Sequence, residues 1–245
     1  MIEVSDLAVR RGATEIIEGC SFSAARGSIL AVLGANGIGK TTLLETLIGV
    51  IKPSAGRLRL GGRVGFVPQL FDVAFSYSVL DIALMGRARQ IGLFGAPRQN
   101  DYDVVRKFMG LLSISHLENR TFNRLSGGQR QLVLIAQALS SECDIMIMDE
   151  PCAALDYKNQ DVVINVMRSL SEDRDITIVF STHTPQHAVE IATDVLLMNA
   201  KSSFRSGRTA DVLNEENLSR LYGMPIGRAQ FSQQGKYTFA PLFLH

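Results

Sequence analysis

The sequence predicts an α/β fold that consists of a layered core and an inserted helical subdomain. Towards both ends of the chain, short apolar segments of strand character alternate with helical segments, which is typical of a layered α/β protein. Between about residues 72 and 125 the pattern becomes helical instead. We therefore predict one domain over residues 1–245, with its core in 1–71 and 140–245 and its helical insertion in about 72–139.

The segments before the insertion predict an antiparallel β portion and then a strand, a loop and a helix. The apolar run Ser28–Leu33 has strand character and ends where Gly34 interrupts it. The stretch from Thr41 to Leu47 lacks Pro and Gly and is therefore expected to be helical. The predicted strands are Ile2–Val9, Ser21–Ala24, Ser28–Leu33, Arg57–Leu60 and Val64–Val67. The predicted helix is Thr41–Leu47, and Pro53–Gly56 is predicted as a turn.

The remaining segments predict the insertion and the second part of the core. Ser78-Val79-Leu80-Asp81 has the form of a capping box, which predicts the start of a helix. The other predicted helices are Tyr102–Leu112, 158–170, 185–192 and Asp211–Leu221, the last of which stops at Tyr222-Gly223. The predicted strands are 145–148, 176–180 and 194–198. Gly92–Asn100 is predicted as a loop, and Tyr237–His245 as either a strand or a tail.

Composition and charge exclude several classes of protein. The net charge is +1 without a dense basic run, which argues against a general nucleic-acid binder. Three scattered cysteines, Cys20, Cys143 and Cys152, suit a reducing compartment, give no metal-ligand spacing and are expected to be buried or half-buried. The N-terminus lacks the pattern of a signal peptide, and no segment approaches the roughly 18 apolar residues of a membrane span. We therefore expect any role at a membrane to be peripheral.

Gly34-Ala35-Asn36-Gly37-Ile38-Gly39-Lys40-Thr41 has the spacing of a loop that wraps nucleotide phosphates. Its glycines permit backbone torsions and close approaches that a Cβ would forbid. The following helix adds a partial positive charge at its N-terminus, Lys40 adds a full charge, and the Thr41 hydroxyl suits Mg²⁺. The alternative, a glycine-rich turn, does not account for the strand before the loop and the helix after it.

Ile145-Met146-Ile147-Met148-Asp149-Glu150 places two carboxylates at the end of a continuous apolar run. Such a run is typical of a buried parallel strand, and ligands bind beyond the carboxyl ends of these strands. Asp149 is then suited to hold Mg²⁺, and Glu150 to polarise an attacking water. Taken alone, the two residues are equally compatible with the charged end of a surface strand.

Leu125-Ser126-Gly127-Gly128-Gln129 predicts a second helix start. Ser126 and Gln129 have capping-box spacing, and Gly127 and Gly128 are expected to leave the helix end uncovered, so that its N–H groups can reach an anion. A capped helix after a turn would have the same sequence. One site in one chain does not need two such helix ends, whereas a second copy of the chain would use the second one.

With these motifs in this order, the chain resembles the nucleotide-binding subunit of an ABC transporter, a P-loop NTPase of the ABC type, over nearly its whole length. Gln69 matches the glutamine that joins core to insertion and senses Mg²⁺ and water. Ala154-Leu155-Asp156 matches a dimer-contacting loop, and His183 matches the histidine that contacts the γ-phosphate. His116, His187 and His245 match nothing and are expected to be structural.

The resemblance implies an ATP- and Mg²⁺-dependent ATPase that works as a head-to-tail dimer. Glu150 is implied as general base, with His183, Gln69 and Lys40 as further catalytic residues, and Thr41, Gln69 and Asp149 as the residues that hold Mg²⁺. The implied nucleotide-binding residues are Gly34, Ala35, Asn36, Gly37, Ile38, Gly39, Lys40, Thr41, Thr42, Ser126, Gly127, Gly128, Gln129 and Arg11. The group from 126 to 129 serves the ATP of the other copy.

Two positions depart from the family. The family usually has an aromatic residue near the end of its first strand, where it stacks on adenine, and Arg11 stands there instead. A guanidinium plane can stack on a π face, but a solvated turn arginine is an equal alternative. Cys152 replaces the usual Thr or Ser, with little effect expected on mechanism.

The segment 79–87 resembles that of importers for metal chelates or metal oxyanions, which implies an importer ATPase that works with separate membrane subunits. These permease subunits are expected to dock near Gln69–Arg87, where Phe71, Phe75 and Tyr77 cluster; alternatively, these aromatic residues belong to the core of the insertion. A substrate-binding protein and a location on the cytoplasmic face of the inner membrane are implied as well. An ABC exporter ATPase, a soluble ABC-type ATPase of DNA maintenance or translation, and a phosphate-loop kinase or GTPase remain alternatives.

Overall fold

A computed structural model describes residues 1–69, 74–92, 94–153, 155–230 and 237–242. Its strands are β1 (Ile2–Arg11), β2 (Thr14–Ala24), β3 (Ile29–Gly34), β4 (Ala55–Leu60), β5 (Val64–Val67), β6 (Ile145–Met148), β7 (Thr177–Thr182), β8 (Asp194–Ala200), β9 (Ser203–Arg208), β10 (Ile226–Gln230) and β11 (Tyr237–Pro241). Its helices are α1 (Lys40–Leu47), α2 (Val79–Leu84), α3 (Ala88–Ile91), α4 (Gln99–Leu111), α5 (Gly127–Ser140), α6 (Tyr157–Glu172), α7 (Pro185–Ile191), α8 (Thr209–Val212) and α9 (Glu215–Tyr222). The chain forms two compact units, residues 1–61 with 177–245, and residues 62–176.

The first unit contains the predicted antiparallel β portion. β1 lies between β2 and β4 and pairs antiparallel with both. The predicted turn at Pro53–Gly56 is wrong in its second half, because β4 begins at Ala55, which pairs with Ala8. Gly56 has a φ of 87° and its Cα faces the Asp6 carbonyl so closely that a Cβ would overlap it. Its glycine is therefore required by a close strand contact rather than by a turn.

The same unit holds the parallel strands that lead to the candidate site. β3 lies between β7 and β8, parallel to both, with Leu33 opposite Thr182 and Leu197. Every residue of β3 and β7 is buried, which explains the continuous apolar character of β3. β9 pairs antiparallel with β8 and is not predicted, because its residues are mostly exposed and have no apolar alternation.

The predicted helix over Asp211–Leu221 is wrong as a single element. α8 ends at Val212, and Asn214 then caps α9 by accepting a hydrogen bond from the backbone N–H of Asn217 at 2.9 Å. Gly223 ends α9 in the left-handed conformation with a φ of 67°, as the predicted stop requires. Strands β10 and β11 form an antiparallel hairpin, and residues 243–245 lie outside the described part of the chain.

The second unit pairs a short parallel sheet with helices. β5 and β6 are parallel, with Val67 opposite Met148. The predicted capping box at Ser78 is confirmed, since its hydroxyl accepts from the Asp81 N–H and the Asp81 carboxylate accepts from the Ser78 N–H. The predicted loop at Gly92–Asn100 is wrong at its end, because α4 begins at Gln99.

The three cysteines are buried and unpaired, which confirms their prediction. Burial raises the pKa of Cys20 and Cys152 to about 12 and that of Cys143 to about 11, so these thiols are inert at neutral pH. None of the helices in the described ranges is long and apolar enough to span a bilayer.

Candidate nucleotide site

The loop between β3 and α1 forms a glycine-lined cradle at the end of a buried strand. Gly37 and Gly39 have φ values of 79° and 112°, which side chains with a Cβ rarely adopt. A Cβ on Gly39 would also lie 2.8 Å from Cγ2 of Ile16. Backbone conformation explains Gly37, and backbone conformation with close packing explains Gly39. A loop of this form can direct its N–H groups at an anion.

Lys40 is the first residue of α1 and is only 5% exposed. Its ammonium group donates to the carbonyl oxygens of Gly34 at 2.9 Å and of Ala35 at 3.2 Å. A buried cation needs such partners, and these are supplied by the loop itself. The positive charge is thereby held inside the cradle, beside the start of a helix whose N–H groups are also electropositive.

Arg11 is not a solvated turn arginine, because its guanidinium has side-chain partners on α1. It lies at the end of β1 and pairs with Glu45 of α1, and its Nε donates to the Thr42 hydroxyl at 3.1 Å. The guanidinium is still about half exposed, with a side-chain exposure of 49%. This pair fixes Arg11 against the helix that follows the loop.

His183 lies at the same edge of the first unit as the phosphate loop. It follows β7 directly, and because Thr182 is opposite Leu33, the chain leaves both parallel strands at the same level. His183 is exposed, and its carbonyl oxygen accepts a hydrogen bond from the Tyr222 hydroxyl at 2.8 Å. The structure therefore brings together, within one unit, the loop with Lys40 and the predicted γ-phosphate contact.

His187 is structural, as predicted. It is buried in α7, and its Nδ1 lies 3.2 Å from the Thr182 hydroxyl. Burial, and then the neighbouring charge of His183, lowers the pKa of His187. A neutral imidazole therefore supports the turn that carries His183. His116 lies on a one-turn 3₁₀ helix in the second unit, and His245 lies outside the described residues.

In the second unit, Asp149 and Glu150 follow β6 as predicted. Asp149 is 6% exposed, and its backbone N–H donates to the Val67 carbonyl at 2.9 Å. Glu150 is half-buried and has a φ of 45°, an unusual conformation for a residue other than glycine. The left-handed backbone gives the two neighbouring carboxylates different surroundings, and strained residues of this kind concentrate at functional sites.

Gln69 follows β5 in the same unit by two residues and is exposed. Because β5 and β6 are parallel with Val67 opposite Met148, Gln69 and the two carboxylates leave the sheet at the same edge. Residues 70–73, which include Phe71, lie outside the described part of the chain, as does Ala154 of the predicted dimer-contacting loop. Asp156 of that loop caps α6, since its carboxylate accepts from the Asn159 N–H at 2.8 Å.

The capping box at the start of α5 is confirmed. The Ser126 hydroxyl accepts from the Gln129 N–H at 3.3 Å, and the Gln129 side chain accepts from the Ser126 N–H at 3.2 Å. The expectation that both glycines leave the helix end uncovered is wrong for Gly128, which is buried against Asn159 of α6. Ser126 is exposed and Gly127 is half-buried, so the start of α5 faces solvent at these two residues and not at Gly128.

The family model for ABC transporters matches residues 17–153, which include the phosphate loop, Gln69, Ser126 and both carboxylates. The chain belongs to the ABC transporter family. The match covers more than half of the sequence, and it confirms the predicted fold class and an ATP-binding, ATP-hydrolysing role.

Individual relatives of this ABC subunit cover almost the whole chain. The molybdate import ATP-binding protein MolC of Haemophilus influenzae is 44% identical over 229 residues, which are 91% of this chain and 88% of that protein. A probable iron chelatin transport ATP-binding protein of Helicobacter pylori is 31% identical over 240 residues, which are 92% and 94% of the two chains.

Solved structures of ABC transporter subunits are also similar to this chain. An ABC transporter assigned to the metal-chelate type, in an inward-facing conformation, contains a chain with 42% identity and a TM-score of 0.94, at coverages of 99% and 97%. CbiO1 of Clostridium perfringens, part of the ABC transporter complex cbiONQ, has 26% identity and a TM-score of 0.75 at coverages of 89% and 92%. The fold of this ABC subunit is therefore that of transporter ATPases.

Proposed function

We propose that this chain is the ATP-hydrolysing subunit of an ABC importer, which powers uptake of a metal chelate or a metal oxyanion through separate membrane subunits. The observation that carries the proposal is the 44% identity, over 91% of the chain, to an ATP-binding protein of molybdate import. The relatives of iron chelatin transport and of the metal-chelate type support the same substrate class. Molybdate and chelated iron are the first substrates to test.

We assign the loop residues 34–41 and Thr42 to the phosphates of ATP. The left-handed glycines and the internally held Lys40 give the cradle an electropositive, close-fitting interior. From the family resemblance we assign Thr41, which is exposed at the start of α1, together with Gln69 and Asp149 to Mg²⁺, because their side chains carry oxygen atoms of the kind that Mg²⁺ prefers. Bound Mg²⁺ would neutralise charge on the phosphate oxygens.

For hydrolysis we assign Glu150 as general base and His183 as the residue that orients the γ-phosphate. Phosphoryl transfer depends mainly on positioning and charge compensation. Glu150 contributes by accepting a proton from water, Lys40 contributes charge, and Gln69 contributes its amide near the end of β5. The left-handed backbone of Glu150 supports a specific orientation of its carboxylate.

The arrangement also favours a head-to-tail dimer with a second copy of this chain. Ser126 and Gly127 are accessible at the start of α5, where backbone N–H groups and the helix dipole attract anions. We assign Ser126, Gly127, Gly128 and Gln129 to the nucleotide of the second copy, with Gly128 acting through its backbone because it packs against Asn159. Asp156 and Leu155 remain our candidates for the dimer-contacting loop.

Permease subunits are proposed to dock near Gln69–Arg87. Phe75 is 70% exposed and Tyr77 is 36% exposed, and their rings form an edge-to-face pair with centroids 6.1 Å apart. These exposures favour a docking surface over insertion core for this pair, and Met85, in the same segment of the sequence, is 42% exposed. The insertion bounds 72–139, a partner substrate-binding protein and a peripheral location on the cytoplasmic face of the inner membrane belong to the same proposal.

Arg11 is proposed to contact the base of ATP from its fixed position beside α1. Its half-exposed guanidinium can present a planar face while the Glu45 carboxylate holds it. Comparison of ATP and GTP turnover in the wild type and in Arg11→Ala tests this assignment. An equal loss of turnover with ATP and with GTP would show that Arg11 only stabilises α1 and does not contact the base.

The test of the proposed activity is Glu150→Gln, with Glu172→Gln at the exposed end of α6 as its control. We expect Glu150→Gln to bind ATP, to hydrolyse it about 10²–10⁴-fold more slowly and to accumulate as a closed dimer. If Glu150→Gln hydrolysed ATP near the wild-type rate, Glu150 would not be the general base. Full activity of a strict monomer, with Ser126→Ala unaffected, would contradict the dimer.

The proposed substrate class is tested with the chain co-purified with its membrane subunits and reconstituted in vesicles. Stimulation of ATPase activity by molybdate or a ferric chelate, together with accumulation of that solute on the far side, is the expected result. Movement of solute away from the ATPase side would favour an exporter.

A further inference from the structure

The carboxyl end of α9 reaches the backbone of His183. Tyr222 is the last residue of that helix, and its hydroxyl donates to the His183 carbonyl oxygen at 2.8 Å, across 39 residues of sequence. Sequence reasoning identifies Tyr222 only as the end of a helix, because nothing in the local pattern reports this tertiary contact.

Tyr222 is a firmly held, permanent donor. It is half-buried, and burial raises the pKa of its phenol well above the ordinary value, so the hydroxyl keeps its proton throughout the physiological range. The next residue, Gly223, ends the helix in the left-handed conformation. The direction of the Tyr222 ring is thus fixed by a defined helix end.

Helix α9 is itself tied to the neighbouring structure. The Ser219 hydroxyl accepts from the Ile226 N–H at 2.8 Å, and the Glu215 carboxylate accepts from the Arg228 N–H at 2.7 Å. Both bonds join α9 to β10. The helix also packs against β8. Tyr222 therefore contacts His183 from a supported element.

The turn around His183 is held from its other side by Thr182. The Thr182 hydroxyl accepts from the Thr184 N–H at 3.1 Å and lies 3.2 Å from Nδ1 of the buried His187. The Thr184 N–H and the His183 carbonyl belong to the same peptide group, so the peptide that joins His183 to Thr184 is held by Thr182 at its N–H and by Tyr222 at its carbonyl. The exposed imidazole is therefore presented from a preorganised turn.

We propose that Tyr222 is a positioning residue for His183, and that its hydroxyl orients the backbone from which the imidazole reaches the γ-phosphate. The inference rests on the proposed role of His183 in ATP hydrolysis. Tyr222 touches only the histidine carbonyl, so it acts through His183 rather than on the nucleotide.

The test is Tyr222→Phe in the full-length chain, which removes one oxygen atom and keeps the ring. We expect kcat for ATP to fall roughly three- to tenfold, the range of one neutral hydrogen bond, while KM for ATP stays unchanged. Tyr102→Phe, whose ring lies near the Arg106 guanidinium on α4, is the matched control and is expected to keep the wild-type kcat.

A double-variant cycle separates positioning from general damage. In a His183→Ala background, measured as single-turnover hydrolysis with excess protein, Tyr222→Phe is expected to cause no further loss, because its effect requires the histidine. The same fractional loss in both backgrounds would overturn the inference, since it would reveal a merely structural role.

Failure of the inference and failure of the proposed function are distinguishable. If His183→Ala is strongly impaired while Tyr222→Phe keeps the wild-type kcat, the inference alone is wrong. If His183→Ala hydrolyses ATP at the wild-type rate, the proposed role of His183 is wrong and the inference falls with it.

Discussion

The Arg87 guanidinium and the Asp101 carboxylate form an ion pair in the interior of the second unit, with Nε and Oδ1 3.1 Å apart and side-chain exposures of 5% and 11%. Arg87 also donates to the Ser140 carbonyl and to Glu142, both at 2.9 Å. Ser140 is the last residue of α5, where carbonyl groups lack helical partners. One side chain therefore joins the start of α4 to the end of α5.

Replacement of Arg87 by Met is expected to lower the free energy of unfolding, because it removes the guanidinium that pairs with the carboxylates of Asp101 and Glu142. Urea unfolding of the isolated chain measures this loss. Arg106→Met is the control, because its pair with Glu118 is more exposed to solvent and its loss should lower the stability less. Similar losses in the two variants would contradict the importance of burial.

Acid is expected to weaken the same junction. The pKa of Asp101 lies below its ordinary value, first because the Arg98 backbone N–H donates to its carboxylate at 2.9 Å and then because of Arg87. Since the folded pKa is depressed, the ionised form stabilises the fold above the unfolded pKa of about 3.9, and this stabilisation is lost as pH falls through the folded value. Urea midpoints should therefore decline below about pH 4 more steeply in the wild type than in Asp101→Asn. Parallel declines would show that Asp101 is not responsible.

Gly128→Ala is expected to destabilise the second unit by about 1–3 kcal/mol through overpacking, because the added Cβ would overlap the Asn159 amide. Thermal unfolding should show the loss, and Asn159→Ala should relieve only part of it in the double variant, because the Cβ of residue 159 remains 2.8 Å from the added Cβ. Gly110→Ala in α4 is the matched control. The nearest atom to a Cβ there is the Ser115 hydroxyl at 3.8 Å, so alanine should stabilise the helix. A neutral Gly128→Ala would rule out the close contact.

Gln131 of α5 is fully buried, and within the described ranges neither polar atom of its side chain has a hydrogen-bond partner. Gln131→Met replaces it by an apolar side chain of similar size, and we expect a gain of about 1 kcal/mol in stability. Gln129→Met is expected to lower the stability instead, because it breaks the capping box with Ser126. A loss of stability in Gln131→Met would show that the amide is satisfied in the folded protein.

Elements with a local cause could be predicted from the sequence. β3 and β6 are uninterrupted apolar runs because they are buried on both faces, and the helix starts at Ser78 and Ser126 follow from capping residues three positions apart. β9 could not be predicted, because its support comes from pairing with β8 rather than from its own side chains. The break at Asn214 had a visible signal, an N-cap residue before two glutamates.

The candidate site shows the same division. The phosphate loop is contiguous, so its spacing identifies it. The ion pair of Arg11 with Glu45 joins residues 34 positions apart, and the Tyr222 bond spans 39, and no local pattern records either. Family resemblance supplied the role of His183 but not the groups that hold its backbone.

The ammonium of Lys40 already lies on the carbonyls of its own loop. Arrival of a triphosphate is then an exchange of acceptors, in which neutral oxygens give way to anionic ones, and bonds between charged partners are about twice as strong as neutral ones. The Lys40 ammonium therefore favours highly charged ligands, because only these exceed the strength of its contacts with the loop carbonyls. Substituting Lys40 removes its hydrogen bonds to the loop as well as its charge. The loss of ATP affinity should therefore exceed that expected from one missing phosphate contact.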